Sequence, residues 1–353
     1  MKCDQYIGMD VHQATTVIAV LNAEGKVILE TIVPTQAAAI IELMRSLSGP
    51  LHVTFEETTQ AEWLHDVVRR YVAEVIVCDP RQNKLLGKGS KTDKADARKL
   101  AELLRTGSLK SVYHGHQGTL KLRDLVRAYE TLSDDTQRTM VRIKALYRSR
   151  GIHTPGREVY QLNQREQWRE RLTEPGLRQR VGWLYQELDQ LRPLRRQAKQ
   201  AMLSESRQHR AVQLLRSIPQ LGPVRCALIV ATVDTPHRFR TKRQLWSYSG
   251  LAVVTHMSAE YEMKEGHVVR CRKPIATRGL NRNCNRRMKE VFIGAATGGS
   301  RIEPYRSYVE KLLKNGMRAE MARLTLARKI IAIALSVWKK GEMFDPKKLN
   351  WTT

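Results

Sequence analysis

Nowhere in the 353 residues do about 18 apolar residues follow one another, so no transmembrane helix is expected. The opening MKCDQYIGMDVHQ has no signal-peptide core. Cysteine is scarce and scattered. Cys3, Cys78, Cys226, Cys271 and Cys284 form no C-x-x-C pair and are odd in number, which argues against a disulfide framework or a zinc site. A reducing cytoplasm is the expected compartment, with no membrane association. Negative charge is also short: 35 acidic side chains face 61 basic ones, a net charge of +26. Such an excess repels itself unless a polyanion is near. Nucleic acid is therefore the leading expected partner, ahead of an anionic membrane surface. The length suits two or three domains.

What is present begins with β pattern. Gln5 to Met9 reads as a short strand ending at Asp10, followed by strands at Thr15 to Leu21 and Lys26 to Val33, with Asn22-Ala-Glu-Gly25 as the turn between the latter two. Three strands joined so closely must form an antiparallel meander. Helical spacing then covers Thr35 to Leu47, a strand Leu51 to Phe55, a helix Ala61 to Tyr71, a strand Ala73 to Cys78 and a helix Asp93 to Leu104. A meander followed by α/β units resembles the plan of the RNase H-like fold.

The acids fall at telling places in this order. Asp10 ends the first strand and Glu56 the fourth, where α/β sheets place ligands. Asp93 and Asp96 are three apart and share a helix face. Four carboxylates converging there would repel one another, and divalent cations such as Mg²⁺ would relieve the repulsion. Two such ions about 4 Å apart can assist attack on a phosphodiester. Each acid also has an ordinary reading. Asp10 could form a turn, Glu56 could be a solvated edge residue with Glu57 competing for its role, Asp93 could be an N-cap, and Lys94 and Arg98 could pair with the acids.

Beyond Gly107, SLKSVYHGHQG reads as a linker. Leu122, Leu125, Tyr129, Leu132, Thr136, Thr139, Ile143 and Leu146 then alternate steps of three and four, as in a coiled coil with a polar stretch in its seam. A second long helix is expected from Leu177 to Met202, kinked or interrupted by Pro193. The pair makes either an intramolecular hairpin or a dimerisation arm, with Arg138, Arg142, Lys144, Arg148 and Arg150 along its outside. The expected domains are residues 1–108, a helical coiled-coil arm over 119–205, and a mainly α domain over 206–353.

In the last part, the Ile-Pro-x-Leu-Gly-Pro stretch from Ile218 to Pro223 is similar to a helix-hairpin-helix turn, and equally to an ordinary one. A basic helix start follows at Phe239 to Leu251, then a polar region from Val254 to Pro274. Thr277 to Lys289 sets arginines among asparagines, with Lys273 just upstream, a composition suited to phosphate contact. Arg323 to Trp338 is apolar enough for the core. Lys91, Arg142, Arg243, Arg278, Arg282, Arg286 and Arg287 are the expected nucleic-acid contacts.

GMDVHQATTVIAVL, FEETT and above all KTDKADARKLAELLRTG resemble the catalytic domain of DEDD transposases, insertion-sequence enzymes with a RuvC-like domain. The second half is similar to the same family through IPQLGPV, FRTKRQLWSYSGL, the arginine- and asparagine-rich run and the closing helices. The resemblance implies a DNA transposase whose targets are specified by a structured bridge RNA, acting as a homodimer or homotetramer. It implies Asp10, Glu56, Asp93 and Asp96 as Mg²⁺ ligands. It also implies Ser258, a few residues beyond the Ser-Gly-Leu block, as a nucleophile, although Ser258-Ala-Glu stands here where the family has Ser-Gly-Gly. Ser249 is the next candidate. A hydrolytic junction nuclease and a non-catalytic nucleic-acid scaffold are the competing readings.

Overall fold

The computed structural model describes residues 4–80, 92–115, 117–258, 261–264, 267–270 and 275–349. Lys91 and Lys273 lie outside the described residues. The chain divides into two compact units, residues 1–115 and 116–353.

In the first unit, strands β1 (Gln5–Val11), β2 (Thr15–Leu21) and β3 (Val27–Pro34) form the expected meander. Helix α1 (Ala37–Ser46), strand β4 (Leu51–Glu56), helix α2 (Ala61–Val68), strand β5 (Glu74–Cys78) and helix α3 (Asp93–Arg105) follow. The sheet order is β3-β2-β1-β4-β5, with β4 parallel to both β1 and β5. This mixed sheet with helices is consistent with an RNase H-like domain.

Alternation along the strands decides what each face carries. Ile7, Met9, Ile18, Val20, Val53 and Phe55 share one buried cluster with Ile40 and Met44 of α1 and Leu64 and Val68 of α2. The intervening residues face the other way. Val17 and Ala19 pack on Ala97 of α3. Gly8 is what lets α3 come so close, since a Cβ there would stand 2.1 Å from the Ala97 carbonyl oxygen and 2.5 Å from the Ala101 nitrogen.

The segment expected as a linker is docked rather than free. Ser111 bridges to Cys78, and the Val112 amide donates to the Val77 carbonyl at 2.7 Å. β5 would otherwise present an open edge, and this strand-like addition satisfies part of it.

The second unit is mainly helical. Helix α4 (Leu120–Arg148), the short α5 (Arg165–Glu170) and α6 (Pro175–Ser206) lead into α7 (Arg210–Arg216), α8 (Pro223–Val233) and α9 (Lys242–Tyr248). Helices α10 (Arg286–Gly299), α11 (Tyr305–Lys314) and α12 (Ala319–Lys340) close it. α4 and α6 pack along each other as a hairpin within the chain. The seam threonines are satisfied locally: Thr136 donates to the Leu132 carbonyl and Thr139 to that of Asp135. α6 runs uninterrupted through Pro193, whose exposed position removes one backbone bond at a place where water can replace it.

The arm and the C-terminal helices share one core. Leu122 and Val126 of α4 and Met202 of α6 are buried with Ile229 and Val230 of α8, Phe292 of α10 and Ile330 of α12. The expected boundary between residues 205 and 206 therefore separates elements that pack as one body. The polar region after Val254 also holds strands. β6 (Val253–Ser258) pairs antiparallel with β9 (Ile275–Leu280), and β7 (Tyr261–Lys264) with β8 (His267–Arg270).

Candidate metal centre and nucleic-acid surface

Asp10 sits near the end of β1 on the face opposite Met9, the face that α3 covers. The close seat of α3 on Gly8 brings its first turn, with Asp93 and Asp96, toward Asp10. Thr92 rather than Asp93 caps the helix, its hydroxyl accepting from the Ala95 amide at 3.2 Å. Asp93 is thereby released from capping. Both acids sit where the unpaired amides of the helix start favour negative charge.

Three ligand atoms gather here. Oxygens of Asp10 and Asp93 and a nitrogen of His12 lie within 4.8 Å of one another. His12 Nε2 is 3.3 Å from Asp10 Oδ2 and 3.5 Å from Asp93 Oδ2, so one nitrogen stands between two carboxylates. Burial raises the Asp10 pKa; His12 opposes this, while Asp93 and Asp96 add to it. Asp96 is therefore close enough to act on Asp10, although it is not one of the three clustered ligands.

Glu56 is placed by register. Met9 pairs with Phe55 across the parallel strands, so one step further sets Asp10 beside Glu56 with both side chains on the α3 face. The clustered group among the described residues does not include it. Its competitor Glu57 is engaged elsewhere: His114 Nε2 is 2.7 Å from Glu57 Oε2, and the His114 ring stacks on His65 with centroids 5.1 Å apart. Arg98 does not neutralise the acids of its own helix. It forms a two-pronged pair with Glu30 of β3, one limb 2.6 Å long.

His12 was missed in the sequence. The signal was available, because a residue two beyond Asp10 on an extended segment returns to the same face. The donor set suits a divalent cation on its chemistry. Crowded carboxylates prefer hard oxygen-seeking ions such as Mg²⁺, and an imidazole beside them widens the range toward Mn²⁺ and Zn²⁺.

In the second unit, Arg243, Arg278, Arg282 and Arg286 are exposed. Arg243 lies in the first turn of α9, whose start is fixed by a capping box of Thr241 and Gln244. Arg278 lies on β9 and Arg286 opens α10. Arg287 differs. It faces Asp134 and Glu130 of α4 and Glu290 of its own helix, so three carboxylates hold it and it ties α10 to α4. Arg142 is exposed and only loosely opposite Glu187, at 3.9 Å.

The asparagines of the same run are structural. Asn281 bonds the Ser247 carbonyl and hydroxyl, and Asn285 caps α10 through the Met288 amide. Gly250, at φ 66°, must lack a side chain, because a Cβ would stand 2.4 Å from Cys284 Sγ. Ser249 is fully buried, which removes it as a nucleophile toward DNA. Ser258 is the last residue of β6, opposite Ile275, and its side chain is not among those described.

The Ile218–Pro223 turn joins α7 to α8, with Gly222 as N-cap and Pro223 in the first turn. Its left-handed residue is Gln220, at φ 68°, not a glycine. No described helix is long and apolar enough to cross a membrane.

A mixed sheet with an acidic cluster on its α3 face is consistent with a DEDD RNase H-like domain. Two family models match the chain. Residues 7–149 match the DEDD transposase model of the IS110 type, and residues 212–310 match the transposase model of the IS116/IS110/IS902 family. Together they support a DNA transposase or recombinase of an insertion sequence. No curated protein matches the chain.

Proposed function

We propose that the protein cuts and rejoins the DNA strands of an insertion sequence by serine attack on a phosphodiester, assisted by Mg²⁺ and guided by a structured RNA. The observation that carries this reading is the gathering of Asp10 and Asp93 beside Asp96, with Asp10 held above its ordinary pKa by burial and by its acidic neighbours. Asp10, Glu56, Asp93 and Asp96 would hold the metal. Divalent ions there would neutralise charge on the phosphodiester and make a hydroxyl easier to ionise.

The remaining steps belong to the chain. Ser258 Oγ attacks phosphorus, the bond from phosphorus to the 3′ oxygen breaks, and the serine proton is formally transferred to that leaving oxygen. The products are a phosphoserine ester on the 5′ side and a free 3′-hydroxyl. A second 3′-hydroxyl then attacks the ester and returns the proton to serine. Phosphoester bonds are conserved throughout, so rejoining requires no ATP. Exposed Arg243, Arg278, Arg282 and Arg286 would meet phosphates of DNA or of the guide RNA, and Arg142 would extend that contact along the arm. Guidance by RNA rests on the family resemblance and on the large excess of positive charge, and action as a homodimer or homotetramer on the resemblance alone.

The test incubates purified protein with Mg²⁺, element-end DNA and the element's RNA, and reads covalent protein–DNA adducts on denaturing gels. Ser258→Ala should abolish the adduct while leaving DNA binding intact. Cleavage without an adduct in the unaltered protein would instead identify a hydrolytic nuclease. An adduct that survives Ser258→Ala would move the nucleophile to another residue.

A further inference from the structure

The stretch from Ser111 to His114 runs along the outer edge of β5 and then reaches the end of β4. Its backbone is fixed first, by the Ser111 bridge to Cys78 and by the Val112 amide on the Val77 carbonyl. Two residues on, the His114 side chain is only 11% exposed. Its ring lies on the His65 ring of α2, with planes 20° from parallel. His114 Nε2 is 2.7 Å from Glu57 Oε2. An ionised carboxylate only accepts, so this nitrogen carries the proton and donates.

Glu57 directly follows Glu56, the last residue of β4. Its amide donates to the Cys78 carbonyl at 2.9 Å. Side chains alternate along an extended chain. Val53 and Phe55 face the buried cluster that Leu64 and Val68 of α2 join. Glu57 therefore falls on the α2 face, where His114 meets it, and Glu56 falls on the α3 face with Asp10. The Glu57 backbone is tied to β5 and its carboxylate to His114. Turning the end of β4 would break both ties, so the two together keep Glu56 toward Asp10. Glu57 is 42% exposed, so water alone would not hold it to one direction.

We propose that His114 is a positioning residue: through Glu57 it orients Glu56 toward the acidic centre, touching neither metal nor DNA itself. The inference rests on Glu56 being a metal ligand, as proposed above. A histidine that merely fastened its own segment would serve the fold, and its loss would not single out Glu56 from Asp10 and Asp93.

Calorimetric titration of the full chain with Mn²⁺ is the test. His114→Ala and Glu57→Ala should each weaken binding by about tenfold, the scale on which partners behind a ligand act. The double variant should be no weaker than either single one, because both remove the same bond. His114→Gln keeps a nitrogen donor near the position of Nε2, and Glu57→Gln loses the charge but keeps an acceptor. Both should recover most of the lost affinity. The deciding arm is Glu56→Gln. It should itself weaken binding, and adding His114→Ala to it should change nothing further, since the group being oriented is no longer a ligand. Further weakening of the same size there would mean a general loosening of the site, and the proposal falls. It falls also if His114→Ala and Glu57→Ala bind Mn²⁺ like the unaltered protein. Should His114→Ala fail to fold, the two Glu57 variants decide alone. Unchanged affinity in Glu56→Gln would overturn the ligand assignment and this proposal with it, whereas weakening in Glu56→Gln alone would overturn only the role of His114.

Discussion

Gly8→Ala isolates the contact on which the acidic cluster depends. Gly8 is not at positive φ, so alanine imposes no backbone strain and only its methyl group acts. That methyl would stand 2.1 Å from the Ala97 carbonyl oxygen and 2.5 Å from the Ala101 nitrogen, both backbone atoms of α3 that no rotamer change can move. Ordinary contact begins near 3.4 Å, so α3 must retreat by about 1.3 Å. Overpacking of this kind costs about 1–3 kcal/mol. Replacing glycine recovers about 0.5–1 kcal/mol through the unfolded chain. The net loss is about 0–2.5 kcal/mol, with a middle value of about 1.2 kcal/mol, which at a urea slope of roughly 2 kcal/mol per molar lowers the midpoint by about 0.6 M. The two units need not unfold together, so the loss should be read by hydrogen exchange at the β1 and α3 amides. The same retreat carries Asp93 and Asp96 away from Asp10 and should weaken Mn²⁺ binding, measured by calorimetry, about tenfold or more. Unchanged exchange in α3 with unchanged metal affinity would refute the claim that Gly8 seats the helix.

Three further outcomes are expected. Asp10→Asn removes a carboxylate whose ionised form is disfavoured by burial and by two acidic neighbours. It should therefore stabilise the metal-free protein by up to about 1 kcal/mol in thermal melts while abolishing strand cleavage; a destabilised variant would show that the His12 contact outweighs the repulsion. Glu56→Gln should abolish cleavage, whereas Glu57→Gln should cost less than about 1 kcal/mol and retain it, because Glu57 is held by His114. The reverse pattern in a cleavage assay would exchange the two roles. Arg287→Ala should destabilise the second unit by roughly 2–3 kcal/mol, leaving Glu130 and Asp134 without their shared cation, with little effect on the salt dependence of DNA binding. Arg286→Ala should leave the melt unchanged and lower the slope of log affinity against log salt by about one unit. A reduced salt slope for Arg287→Ala would restore it as a phosphate contact.

Much of the first unit could be read without coordinates. Strand alternation and turn residues are local signals, so the meander, the α/β order and the positions of Asp10, Glu56, Asp93 and Asp96 at element ends were legible. Long-range choices were not. Glu57 finds His114 across 57 residues and Arg98 finds Glu30 across 68, and neither partnership leaves a mark in the local pattern. The run from Thr277 to Lys289 looked uniform in composition, yet Arg287 is held by acids, Asn281 and Asn285 fasten backbone, and Arg278, Arg282 and Arg286 remain exposed. The strands β6 to β9 escaped notice because each is only four to six residues long and none shows the regular alternation of apolar and polar residues that marks a half-buried strand.

By itself the amino-acid order determined which segments become strands and helices, where acids terminate them, and that the molecule must answer a polyanion, because periodicity and net charge are properties of neighbouring residues and of sums. The tertiary structure alone decided which charged groups are available. It seated α3 against a bare glycine, turned His12 between two aspartates and sealed Ser249 in the core. Availability is set by what packs against a group, and those neighbours come from distant parts of the chain.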